Sequence, residues 1–253
     1  MSSIRWLAQN SAAGKAEDFS DGTTIIKTGF QDQDFNVVFL FKPPRSSTEI
    51  VRSVRHLFLD SKTNYEVVVT PRAKEATIPI IRELDLGLLR KVPGMLLDDL
   101  PDSLRELPDN FEIRRVKDLD ELSIFFKTMS AGFGSSPYSF DLFIKEMRQR
   151  SINIHKLHAE DGLSFYVGYF LGKPVSTSVR FTSDHIAGIY GVSTIGEFRR
   201  MGIGEAMVWR ALFDGKLEED CTMSFLQASE MGRPVYEKMG YHVISEYEEW
   251  VAK

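Results

Sequence analysis

The residues with the strongest claim to chemistry lie in one run, VSTIGEFRRMGIGEA at positions 192–206. An apolar strand ends at Thr194, a short polar loop follows, and glycines at 202 and 204 open a helix. Glycines there permit backbone conformations closed to other residues and let a ligand approach the main chain. The first turn of a helix carries unpaired N–H groups and a partial charge of roughly +0.5, which suits a phosphate or diphosphate. Arg199 and Arg200 add two full charges beside those donors. The helix continues as IGEAMVWRALF, apolar around most of its circumference, and is expected to pack deep against a sheet. The run is not a P-loop, because no Gly-Lys-Ser/Thr follows. Nor is it a dinucleotide fingerprint, because GIGEA lacks the G-x-G-x-x-G spacing. Taken alone, R-x-x-G-x-G is as readily a helix entry with a surface arginine.

The elements that must position this run divide into two blocks. Residues 98–110, DDLPDSLRELPDN, hold two prolines, four aspartates and a glutamate, and read as a polar connector. The expected boundary puts an accessory domain with this connector at 1–109 and a catalytic domain at 110–253. In the second block, 111–116 alternates like a strand, and Leu122, Phe125, Phe126 and Met129 form one helical stripe. A short helix at 139–150 precedes a three-stranded meander at 164–170, 175–182 and 185–194 with tight-turn connections. A helix at 201–213, a strand at 222–227, a helix at 233–239 and a strand at 241–251 complete a βααβββαβαβ order. The class is therefore α+β or mixed α/β.

In the first block, 23–30 and 35–41 suggest a hairpin, and Ser46 with Glu49 matches a capping box. Ile50, Val51, Val54, Leu57 and Phe58 follow at helical spacing. A strand at 65–70, a helix at 74–84 with Pro79 in its first turn or at a kink, and a strand at 88–97 come after it. This series loosely repeats the later part of the second block. It lacks R-x-x-G-x-G and the tyrosine described next.

Three features together resemble the GNAT superfamily of acetyl-CoA-dependent N-acyltransferases. These are the meander, Arg199-Arg200-Met201-Gly202-Ile203-Gly204, and LQASEMGRPVYEKMGY at 226–241. Arg199, Gly202 and Gly204 fill the family's phosphate-loop pattern, and Tyr236, Gly240 and Tyr241 fill its later tyrosine motif. The resemblance covers about 111–253. It implies a GNAT-like mixed sheet flanked by helices. The loose repeat in the first block suggests a second, degenerate GNAT-like domain arisen by duplication, giving two in tandem; the alternative is an unrelated α/β cap over the acceptor channel. It also implies that backbone amides of Arg200, Met201, Gly202, Ile203, Gly204 and Glu205 wrap the diphosphate of coenzyme A, with Arg199 beside them. Pantetheine would lie between the strand holding Val192, Ser193 and Thr194 and the strand at 222–227. An N–H near Thr194 would polarise the thioester carbonyl, and Tyr236 would protonate the leaving thiolate. Thr194 and Gly196 stand where the family commonly has valine and proline.

On this reading the chain is an N-acetyltransferase that passes acetyl from acetyl-CoA directly to an amine in a ternary complex. The alternatives are a catalytically lapsed coenzyme sensor or scaffold, and a transferase of a bulkier acyl group. No base is named, because HIAGIYGVST at 185–194 contains no carboxylate. Glu230, Ser229 and His185 are the conceivable proton carriers. Tyr190 is expected to share a strand face with Val192 and Thr194 by the two-residue period and to line the acyl site. The loop at 130–138 falls where this superfamily commonly borders its acceptor.

Bulk composition is that of a globular protein, neither disordered nor fibrous. Of 253 residues, 43% are apolar and 26% charged, and the net charge of −5 offers no footprint for nucleic acid. The longest apolar run, VVFLF at 37–41, is far short of the roughly 20 residues that span a bilayer. The beginning of the chain shows no signal or lipidation pattern, so a cytoplasmic location with no membrane partner is expected. A lone cysteine, Cys221, excludes an internal disulfide and has no evident pKa-lowering partner. His155 and His158 lie three apart, on opposite faces of a strand, so no metal is expected. The first block is left to shape acceptor specificity or support a homodimer.

Overall fold

Apolar runs become strands and helix-spaced stretches become helices in the computed structural model, which describes residues 2–30, 33–104, 106–152, 154 and 162–253. In chain order the elements are α1 (Ser2–Asn10), β1 (Lys15–Asp18), β2 (Thr23–Lys27), β3 (Val37–Leu40), α2 (Ser47–Val54), β4 (Glu66–Val69), α3 (Ile78–Glu83) and β5 (Leu86–Leu97). They continue as β6 (Phe111–Arg115), α4 (Leu119–Phe133), α5 (Tyr138–Gln149), β7 (Leu163–Phe170), β8 (Lys173–Ser183) and β9 (Ile186–Thr194). Last come α6 (Ile203–Glu219), β10 (Met223–Gln227), α7 (Arg233–Lys238) and β11 (His242–Ala252). The fold is mixed α/β.

The chain divides into Met1–Gly94 with Val243–Lys253, and Met95–His242. This differs from the expected seam at 109/110 in two respects. The division falls inside β5, and the last strand joins the first unit. The reason for the return lies in β4, whose four residues are all buried. A buried strand needs a hydrogen-bonding neighbour on each edge. β3 lies parallel on one side, and β11 lies antiparallel on the other, with Glu249 opposite Val68 and Trp250 opposite Val67. The polar connector is tied to the second unit by Lys216, whose Nζ donates to Leu100 O at 3.1 Å and to Asp102 at 2.6 Å.

The first unit has strand order β1-β2-β3-β4-β11-β5. One face packs Val38, Leu40 and Val67 against Ile50, Val54 and Phe58, and the other packs Val37, Phe39 and Val68 against Ala8. Ser46 caps α2 by accepting from the N–H of Glu49 at 3.2 Å. The expected Pro79 sits in the first turn of α3, where its missing N–H costs no helical bond.

In the second unit the order is β10-β9-β8-β7-β6, antiparallel from β6 to β9 and parallel from β9 to β10. Alternation along β8 assigns its faces. Ser178 donates to Met207 O and Arg180 to Ala211 O, so even positions meet α6. Odd positions face α4, whose Phe125 and Phe126 both meet Phe165 edge-to-face, while Phe126 stacks on Phe140. Asp214 on α6 is buried, and Arg115 and Arg210 each reach it at 2.8 Å. The wholly buried Arg180 reaches Glu219 at 2.5 Å. Arg115 and Arg180 rise from the strands, complement the C-terminal end of the helix dipole and hold α6 against the sheet, whereas Arg210 pairs with Asp214 within α6.

Candidate functional site

β9 and β10 stay paired only from Ile186↔Met223 to Ile189↔Leu226. β9 then runs on to Thr194 against β8, so its other edge opens where β10 leaves it. Both strands point the same way, and the opening therefore lies at their shared C-terminal end, where open α/β sheets commonly bind ligands.

A bulge shapes the open edge. Tyr190 lies opposite Val179 and Thr194 opposite Ser176, so four steps on β9 match three on β8. Directly opposed residues share a face. Ser176 and Val179 are three apart and face opposite ways, so Tyr190 faces α4 whereas Thr194 faces α6. The expectation that Tyr190 shares a face with Val192 and Thr194 is thereby corrected. The extra residue resets the two-residue period. Gly191 absorbs it with φ of +55°, and Thr177 Oγ1 donates to the Gly191 carbonyl at 2.8 Å. Ser176 Oγ holds the Ser193 carbonyl at 2.6 Å.

Beyond the bulge, Ile195 N donates to Val175 O at 2.9 Å. Antiparallel ladders alternate, so the next pair, Ser176↔Thr194, turns the N–H and C=O of Thr194 away from β8 and toward the opening. Gly132 in the last turn of α4 makes room there. A Cβ on it would lie 2.6 Å from Ser193 Oγ and 3.2 Å from Thr194 N.

The loop to α6 supplies donors. Arg200 and Gly202 both adopt the left-handed region, at φ of +63° and +77°. The first bond into α6 is Ala206 N to Gly202 O at 3.0 Å. Among the described residues, the N–H groups of Arg200, Met201, Gly202, Ile203 and Gly204 have no protein acceptor. A Cβ at Gly204 would stand 3.7 Å from Thr194 Oγ1, ordinary contact, so glycine is required by backbone conformation at 202 but not at 204. Glu205 in the first turn takes a hydrogen bond from Trp209 Nε1 at 3.3 Å and lies 3.8 Å from Lys238. Five unclaimed donors at the start of a buried helix fit a diphosphate.

Arg199 behaves differently from the charge beside the donors that the sequence suggests. Its Nε donates to Thr194 O at 2.9 Å and its Nη2 to Gly132 O at 2.7 Å.

Tyr236 lies in α7, 9% exposed, with its ring edge-on to Tyr241 at 5.8 Å. Burial pushes its phenol up to about 12, so it keeps its proton at neutral pH. Tyr241 is tied to the paired part of the strands. Its hydroxyl shares a 2.6 Å hydrogen bond with Ser224 Oγ, which donates to Ala187 O at 2.7 Å.

The proton-carrier candidates separate by position. His185 precedes β9 at the end opposite Thr194, about 30 Å away at roughly 3.3 Å per residue. Ser229 accepts from Gly232 N and caps the turn into α7. Glu230, exposed, follows β10 at the same end of the sheet as Thr194. Cys221 is buried before β10, and burial raises its thiol, so it is neither placed nor activated to carry acyl. Among the described residues no group of three or more potential ligands could hold a metal; His155 and His158 lie outside them. No helix among them is long and apolar enough to cross a membrane.

Comparison with known proteins accords with this geometry. Residues 126–241 match the family model described as the acetyltransferase (GNAT) family. Those residues are a GNAT domain. No curated protein sequence matches the chain. Solved structures share the fold. A GCN5-related N-acetyltransferase from Kribbella flavida is 13% identical with a TM-score of 0.66, covering 99% of this chain and 93% of its own. Another from Sphaerobacter thermophilus is 14% identical with a TM-score of 0.59, covering 93% and 81%. A tandem GNAT protein from the clavulanic acid biosynthesis pathway is 13% identical with a TM-score of 0.60, covering 96% and 84%.

The opening of the GNAT domain has no counterpart between β3 and β4. Those parallel strands pair through Leu40↔Val69, and Thr70 continues the seam, its N–H to Leu40 O at 3.1 Å and its Oγ1 to Phe41 O at 2.8 Å. At the N-terminus of α2, Ser46 takes the N–H of Glu49 with its hydroxyl and that of Ile50 with its carbonyl.

Proposed function

We propose that the chain transfers an acetyl group from acetyl-CoA directly to an amine, with one coenzyme site per chain, in the GNAT domain. The observation that carries this is the conjunction of the parted strands with five unclaimed N–H groups at residues 200–204. The donors would hold the diphosphate, and the open edge of Val192, Ser193 and Thr194 would pair with the pantetheine amides like an added strand. The first unit is a GNAT-like duplicate whose equivalent cleft is sealed by Thr70 and whose helix entry is already capped.

The chemistry follows from the remaining groups. An unprotonated amine attacks the thioester carbonyl, and its oxygen takes the developing negative charge. The N–H of Thr194 stabilises that oxyanion. The attacking nitrogen then carries a surplus proton, which it loses to solvent water. When the tetrahedral intermediate collapses, the carbonyl re-forms, the C–S bond breaks, the pair leaves with sulfur, and the thiolate takes its proton from solvent. A phenol near 12 donates uphill to a thiolate whose conjugate acid is near 8.5. Tyr236 therefore acts by hydrogen-bonding the thiolate as its charge grows.

The test is calorimetric titration with acetyl-CoA, followed by thiol release across a panel of amines and acyl-CoAs. One site per chain with thiol release from acetyl-CoA is expected. Binding without release to any amine would favour a coenzyme sensor, and faster release from longer acyl-CoAs a bulkier donor. Two sites would overturn the assignment of the first unit.

A further inference from the structure

We infer that Arg199, the first residue of R-x-x-G-x-G, is a positioning residue that fixes Thr194, the residue bearing the oxyanion N–H, and the end of α4, and is not a phosphate ligand. Its guanidinium joins three elements. It rises from the loop before α6, and its two donors end on Thr194 O and Gly132 O at 2.9 and 2.7 Å.

Each acceptor has a physical reason to need it. Gly132 belongs to the last turn of α4, where the final four carbonyls have no helical partner. The other carbonyls of that turn include Ser130 O and Ala131 O, which accept from Ser135 and Gly134. The negative end of the α4 dipole also favours a cation. Thr194 O is the carbonyl turned away from β8 at the point where β10 no longer provides a donor. Arg199 replaces the missing strand at that one residue, and by bonding Thr194 C=O it fixes the orientation of the residue whose N–H faces the opening. Gly132 allows the approach, since any Cβ would press on Ser193 and Thr194. A guanidinium suits this task because its fork reaches two carbonyls at once, and an ammonium cannot hold both in that fixed geometry.

The test uses the full chain as wild type, Arg199→Ala and Arg199→Gln. Hydrogen exchange in the free protein reads the clamp with no dependence on activity. In Arg199→Ala, amides at 133–135 and at 195 should exchange at least tenfold faster, with Arg199→Gln recovering part of the protection. Thermal unfolding confirms that both variants fold. The kinetic arm, which rests on the proposed acetyl transfer, compares acetyl-CoA with S-acetylpantetheine, a donor lacking the diphosphate. Arg199→Ala should lower kcat by at least tenfold with both donors and change the Kd of coenzyme A by less than threefold. A loss seen only with acetyl-CoA, or a Kd weakened tenfold or more, would make Arg199 a phosphate ligand and overturn the inference. Unchanged exchange at both segments would do the same. A wild-type chain that releases no thiol would count against acetyl transfer, while the exchange result would still decide the clamp.

Discussion

Tyr236 and Gly132 bear on the reaction in different ways, one through a hydroxyl and the other through the lack of a side chain. Removing the Tyr236 hydroxyl should cost the hydrogen bond to a charged leaving group, about 1.5–3 kcal/mol in the transition state. Tyr236→Phe should therefore lower kcat by roughly 10- to 100-fold with the Kd of coenzyme A little changed, as single-turnover thiol release would show. Gly132→Ala should act from the other side. The added methyl must displace Ser193 or the Thr194 peptide, so stability falls by about 1–3 kcal/mol. The kcat should fall by at least about tenfold as the oxyanion donor shifts. Thermal unfolding and steady-state kinetics check the two parts. At this scale the sequence made the donors legible, because Gly202 and Gly204 announce a backbone site. The job of Arg199 was hidden, because its acceptor Gly132 lies 67 positions away and carbonyls carry no residue signature.

The elements were legible where periodicity was long. The meander, the buried α6 and the βαβ passage from β9 to β10 all follow from alternation, tight-turn residues and one apolar helix. α1 and β1 are not legible in the sequence, since nine helical residues among serines and four strand residues, three of them exposed, carry little pattern. The bulge in β9 had one available sign, Gly191 inside an otherwise regular strand. The placement of β11 depends on the needs of β4, a long-range fact that local pattern does not hold. β4 also carries a titratable liability. Burial, then the charges of Glu249 and Asp34, push Glu66 up to about 8 against the pull of Arg90. The folded state thus keeps a proton that the unfolded chain gives up near 4.5. Stability should fall as pH rises from about 4.5 to 8, and the loss is complete above that range. Glu66→Gln mimics the protonated form, so urea unfolding should show it more stable than wild type by about 2–4 kcal/mol at pH 8 and near equal at pH 4. Equal stability at both would contradict the shift.

At the scale of the whole molecule, the GNAT resemblance of 111–253 was readable from motifs. The division of the chain was not, because the connector at 98–110 looks like a boundary while the strands part at β5 and rejoin at β11. The likeness of the first unit to the second lies in element order; its β3–β4 seam stays paired, and its sequence holds no phosphate-loop pattern. The most direct measurement is a crystal structure of the chain grown with coenzyme A. One coenzyme per chain is predicted, its diphosphate within hydrogen-bonding distance of the N–H groups of residues 200–204 and its pantetheine along the edge of Val192–Thr194. A diphosphate bound elsewhere, or a second coenzyme lodged beside β3 and β4, would contradict the account.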